Sequence, residues 1–168
     1  GSATDALQAP LVINSNLDAY IGAGTLQWGL QSLTATGVTS SSTITKNSAG
    51  TLQILGSSTL SNAALGGTMV LNAGTLEANT NDVTTVTNVL GSAALDLRGG
   101  TLNLRANGAG SNGAVSFTTG LSGTATNNVV VKGATTISVD RSGGSNTGNR
   151  IQLNNLSLNA GVLTVNRG

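Results

Sequence analysis

At 168 residues the chain is long enough for one domain with its own core. Gly (24), Thr (24), Asn (19) and Ser (18) make up about half of it, while charged residues are 8%, against roughly 25% in ordinary domains. Without Cys or His, disulfides, zinc centres and Ser/His triads are excluded, and a net charge of +1 offers no field to draw in nucleic acid.

The first stretch, "ATDALQAPLVINSNLDAY", lacks any repeat and holds the only proline, Pro10. Residues 1–23 read as an N-terminal cap or first coil, covering a strand edge that would otherwise invite aggregation. Tyr20 and Trp28, two of the few aromatics, are expected to plug or flank that coil. From residue 24 to 168 a motif recurs. Gly24-Thr25-Leu26, Gly50-Thr51-Leu52, Gly74-Thr75-Leu76 and Gly100-Thr101-Leu102 follow one another at intervals of 26, 24 and 26. A looser copy, "GATTISV", begins at Gly133, and "GVLTV" at Gly161 places Leu163 at the motif leucine. Inside each copy apolar residues alternate with polar ones: Leu52 and Ile54, Leu76 and Ala78, Leu95 and Leu97, Leu102 and Leu104, Ile137 and Val139, Leu163 and Val165. Period-two alternation bounded by Gly, Asn and Ser marks short half-buried strands, and no segment carries a helical stripe. The excursions near 107–128 and 140–150 are richer in Gly, Ser and Asn and read as loops on corners, the first with one strand in it.

A repeat of about 25 residues holds three strands of about five residues plus their turns, one coil of a three-sided parallel β-solenoid. The expected fold is all-β, with six to seven coils. An antiparallel sandwich is the competing architecture. Stacking like residues at the strand spacing explains the composition: Leu stacks inside, Gly and Asn turn the corners, and Thr and Asn ladders solvate the outside without charge repulsion.

Chemistry is sparse. The acids are Asp5, Asp18, Glu77, Asp82, Asp96 and Asp140. Glu77 and Asp96, 19 positions apart, would lie on neighbouring coils, which a polysaccharide-active enzyme would need for a carboxylate pair. Both alternate with inward leucines and read instead as single outward charges, Asp96 forming a surface pair with Arg98. The cations are scattered singly. "GAGSNG" at 108–113 lacks the Lys-Ser/Thr of a phosphate loop, and "NLS" at 155–157 is a formal glycosylation sequon. The Thr-X-Thr runs at 34–36, 84–87 and 124–126 do not share one repeat phase, as a flat ice-binding array would require. No catalytic, metal or cofactor residue stands out, and no apolar run reaches the roughly 18 residues of a membrane helix.

The stretch "ITKNSAGTLQILGSSTLSNAALGGTMVLNAGTLEAN", residues 44–79, resembles the autotransporter-associated β-strand repeat, also called the passenger-associated transport repeat. Lys46, Gly50, Thr51, Leu52, Gly66, Gly67, Thr68, Asn72, Gly74, Thr75 and Leu76 fall on its pattern. Ser48-Ala49 and Thr59-Leu60 depart from it, where Gly and Thr-Tyr are usual. The resemblance implies a right-handed parallel β-helix and a place in the passenger of a bacterial cell-surface or secreted protein, serving secretion and display. The expected function is therefore structural, a stiff stalk supporting display or adhesion. A self-assembling extracellular filament subunit and a polysaccharide-active β-helical enzyme are the alternatives. Expected partners are neighbouring coils or copies of the same chain, with a glycan or host-surface ligand left open, and neither nucleic acid nor a membrane span.

Overall fold

The computed structural model describes residues 3–29, 35–36, 38–56, 60–61, 65–80, 89–106, 116–118, 127–141 and 150–167. The four strands that start at the motif threonines stack side by side with three others into a seven-stranded sheet. In spatial order they are β1 (Thr4–Leu7), β4 (Thr25–Trp28), β8 (Thr51–Gly56), β11 (Thr75–Thr80), β13 (Thr101–Ala106), β16 (Thr135–Asp140) and β19 (Leu163–Arg167). The strands that precede them in the chain build a six-stranded sheet, β3 (Leu17–Tyr20), β7 (Thr43–Asn47), β10 (Thr68–Leu71), β12 (Ala94–Leu97), β15 (Val129–Val131) and β18 (Leu156–Leu158). Short parallel pairs complete the circuit: β2 (Leu11–Ile13) with β6 (Val38–Ser40), β5 (Ala35–Thr36) with β9 (Leu60–Ser61), and β14 (Ser116–Thr118) with β17 (Arg150–Gln152). Every pairing is parallel, no described residue is helical, and the chain winds as a β-solenoid.

Because the pairing is parallel and in register, the repeat becomes a set of columns. Leu26, Leu52, Leu76, Leu102 and Ile137 stack in one of them. Trp28, Ile54, Ala78, Leu104 and Val139 stack in the next, where the small Ala78 sits between larger neighbours. The six-stranded sheet contributes Leu17, Ile44, Met69, Leu95 and Val129. Leu52, Leu76 and Leu102 are each 0% exposed. Burying one such side chain stabilises the fold by about 1.5–3 kcal/mol, so the columns are the main source of cohesion.

The corners between the two long sheets stack as closely as the strands. Gly74 and Gly100 have φ of +72° and +74°, a left-handed backbone open to glycine. A methyl on Gly100 would also strike the carbonyl oxygen of Gly74 in the coil before it. That close approach lets Thr75 N–H donate to Gly50 O at 3.2 Å and Thr101 N–H to Gly74 O at 2.8 Å.

Two expectations need correction. The coils are fewer than the six or seven expected, since about four turns make up the solenoid proper. Beyond them β1, β18 and most of β19 pair through their backbones but lie exposed. The last motif copy is also shifted. Leu163 pairs with Thr135, and Val165 takes the place of the column leucine opposite Ile137. The corner at 159–163 is longer than the corner at 72–74, which moves Gly161 two positions back from the strand.

Candidate functional site

The outward face of the seven-stranded sheet carries two polar rows. Thr4, Thr25, Thr51, Thr75, Thr101, Thr136 and Thr164 form an unbroken column of hydroxyls, one per strand. Beside it run Gln27, Gln53, Glu77, Asn103, Ser138 and Asn166. Glu77 is the hub of the second row. Its Oε1 accepts from Gln53 Nε2 at 2.6 Å and Asn79 Nδ2 at 3.0 Å, and its Oε2 accepts from Asn103 Nδ2 at 2.8 Å. Arg105 Nε lies 3.3 Å from Oε2, an ion pair without hydrogen-bond alignment. Glu77 was expected to be a lone solvated charge, yet it is 8% exposed, because long polar side chains on three strands close over it.

Asp96, also 8% exposed, lies on the other long sheet. Its Oδ2 accepts from Arg98 Nη2 at 2.8 Å and Lys132 Nζ at 2.9 Å. The expected pair with Arg98 is present, and Lys132 from the next coil makes it a triad. Burial alone would raise the Asp96 carboxyl, but the hydrogen bonds and charges of Arg98 and Lys132 together hold it below its usual range. Glu77 and Asp96 therefore stand on different sheets and face outward on different sides of the solenoid, each committed to its own donors. They do not form the carboxylate pair that neighbouring-coil spacing suggested. Asn side chains make further rungs: Asn72 Nδ2 donates to Asn47 Oδ1 at 2.8 Å, and Asn154 Nδ2 to Asn128 Oδ1 at 3.0 Å.

Lys46 is the most deeply buried charged side chain among the described residues. It points inward, in the column Ala19, Lys46, Leu71, Leu97, Val131, and is 1% exposed. Its ammonium donates to the carbonyls of Asn47 (2.7 Å), Ser48 (2.7 Å) and Ala73 (3.2 Å). Desolvation lowers its pKa below the ordinary 10.5, so those three carbonyls offset the burial only in part. Aligned on Gly50 and Gly74 the repeats set Lys46 against Val70, and only the extra residue of the corner at 47–50 brings it opposite the inward Leu71. Of the aromatics, Trp28 is a core residue at 4% exposure, while Tyr20 is 75% exposed at the rim of the first coil.

Of the repeat Gly24-Thr25-Leu26, Gly50-Thr51-Leu52, Gly74-Thr75-Leu76 and Gly100-Thr101-Leu102, the threonines and leucines pair in register at the starts of β4, β8, β11 and β13. The "GAGSNG" stretch and the Thr runs at 84–87 and 124–126 lie outside the described residues. Among the described residues no group of three Asp or Glu converges as metal ligands would, and no helix is long and apolar enough to cross a membrane. The chain belongs by its architecture to the parallel β-solenoid proteins. No family model, curated protein or solved structure matches it.

Proposed function

We propose that the protein is a structural segment, a passenger or stalk of a bacterial cell-surface or secreted autotransporter-like protein that supports display or adhesion. The observation that carries this reading is the in-register stacking of the long sheets, above all the seven-stranded one, whose apolar column and Thr column run from coil to coil from β4 to β19. Such stacking transmits load along its axis through backbone hydrogen bonds between neighbouring coils. Glu77 and Asp96, the two acids that spacing alone would bring to neighbouring coils, bind their own neighbours. That supports a scaffold over a polysaccharide-active enzyme. The outer location rests on the resemblance of residues 44–79. The test is to place the chain between a surface anchor and an epitope tag in a bacterial display system. Efficient export and greater antibody access than with a flexible linker of equal residue number support the stalk. Retention inside the cell, or hydrolysis of a glycan panel by the purified chain, overturns it.

The filament reading has one favourable observation. Leu156, Leu158, Val162 and Val165 are 52–66% exposed on and beside the edge strands β18 and β19. Light scattering over a concentration series decides it: growth without limit supports a filament, and a constant mass removes it.

A further inference from the structure

The corners joining the two long sheets are not all the same length. Between the inward column of Lys46 and the Thr column, residues 72–74 and 98–100 make corners of three residues. The corner at 47–50 has four. The sequences show the difference directly: "LNAGTL" at 71–76 against "KNSAGTL" at 46–52. The longer corner inserts Ser48, with φ of +65°, and its inward column position is Lys instead of Leu.

An extra residue adds a carbonyl and an N–H to a tightly stacked turn and pushes them out of line with the corner above. Buried backbone groups left unpaired are costly. Lys46 Nζ takes up the carbonyls of Asn47 and Ser48 in its own corner and of Ala73 in the next, three-residue corner. On the opposite side Ser48 Oγ accepts from Ile21 N–H at 2.8 Å and lies 2.8 Å from Ile21 O, reaching the coil before. Gly74 makes room for the arrangement, since a methyl there would come within 2.8 Å of Lys46 Nζ. The other four-residue corner, 132–135, also carries an internal polar group. Thr135 is 3% exposed and its hydroxyl donates to Gly133 O at 3.3 Å. In the two three-residue corners the column of Lys46 holds Leu71 and Leu97.

We propose that Lys46 is an internal strut paired with the inserted Ser48, a device that lets the solenoid change corner length between adjacent coils without losing register. The residues form one unit: the ammonium is useful only where the extra residue creates carbonyls for it. Register is what is at stake, because a slip of one residue would send every inward side chain of the strand to the outer face.

A sign reversal tests this. Deleting Ser48 converts the corner to Asn-Ala-Gly, as at 72–74. In the native corner, Lys46→Leu is expected to lower the urea midpoint and speed hydrogen exchange in residues 47–52 by about tenfold or more, while residues 101–106 keep their protection. In the chain lacking Ser48, the same Lys46→Leu change is expected to raise the urea midpoint, because the ammonium there is buried with fewer acceptors. If Lys46→Leu alone fails to fold and the double variant folds, the proposal stands. A Lys46→Leu variant as stable as the native chain overturns it. So does a double variant no more stable than the deletion alone.

Discussion

Glu77 shows how much a single residue can hold in this scaffold. Its carboxylate collects three side-chain amides and one guanidinium from three adjacent strands. Hydrogen bonds to a charged group are worth about 1.5–3 kcal/mol, so Glu77→Gln, which turns one acceptor into a donor facing donors, should destabilise by roughly 1–3 kcal/mol. Urea unfolding measures it, and an unchanged midpoint would mean that the amides re-pair freely with water. Asp96 gives the pH dependence. Its folded-state carboxyl lies below its ordinary 3.8, so its stabilising contribution is fully present above that value and is lost as pH falls through the lowered one. Melting temperatures from about pH 5 down to about pH 2 should therefore fall less steeply for Asp96→Asn than for the native chain. The gap should be small, at most about 1 kcal/mol, because the Arg98 and Lys132 side chains are 50% and 46% exposed and water screens the pairs. Identical slopes would show that the triad does not respond to protonation.

At the scale of the strand, position in a column decides the cost of a change. Leu76→Ala should destabilise by about 2–5 kcal/mol, since the site is closed above by Leu102 and below by Leu52 and cannot collapse easily. Leu76→Asp should cost more, by burying an unpaired charge. Val165→Ala, in the same column but 65% exposed, should stay within about 0.5 kcal/mol. Equal effects at Leu76 and Val165 in thermal melts would sink the column assignment. The contrast also marks where the sequence could be read and where it could not. Gly-Thr-Leu announces β4, β8, β11 and β13 to the residue, because a tightly stacked glycine, a β-branched start and an inward leucine are local requirements, and at β4, β11 and β13 that glycine is also left-handed. The final copy misleads for the same reason. "GVLTV" satisfies those local rules with Leu163, but register is set by the coil before, which selects Val165. The neighbours of Glu77 escape a linear reading too, for Gln53 and Asn103 stand 24 and 26 positions away. Their convergence becomes visible only once the repeats are laid one over another.

The described solenoid is unlike at its two edges. At one, β1 sets Asp5 in line with Leu26, so a charge occupies the place where the leucine column would otherwise continue. At the other, β18 and β19 expose Leu156, Leu158 and Val165. An inward-facing charge on an edge strand discourages pairing with another chain. Asp5→Val should therefore promote association, seen as a larger mass in light scattering at equal concentration. An unchanged mass would show that Asp5 guards nothing. The winding itself has a mechanical consequence. Each coil touches only the coils beside it, about a repeat away in sequence, so it is both the unit of stacking and the unit of loss. Pulled along its axis between two beads, the solenoid should give way one coil at a time. Each rupture would release a length set by the spacing between paired strands, 24 residues from Thr51 to Thr75 and 26 from Thr75 to Thr101. At about 3.4 Å per extended residue, that is a ratchet of steps of roughly 8–9 nm.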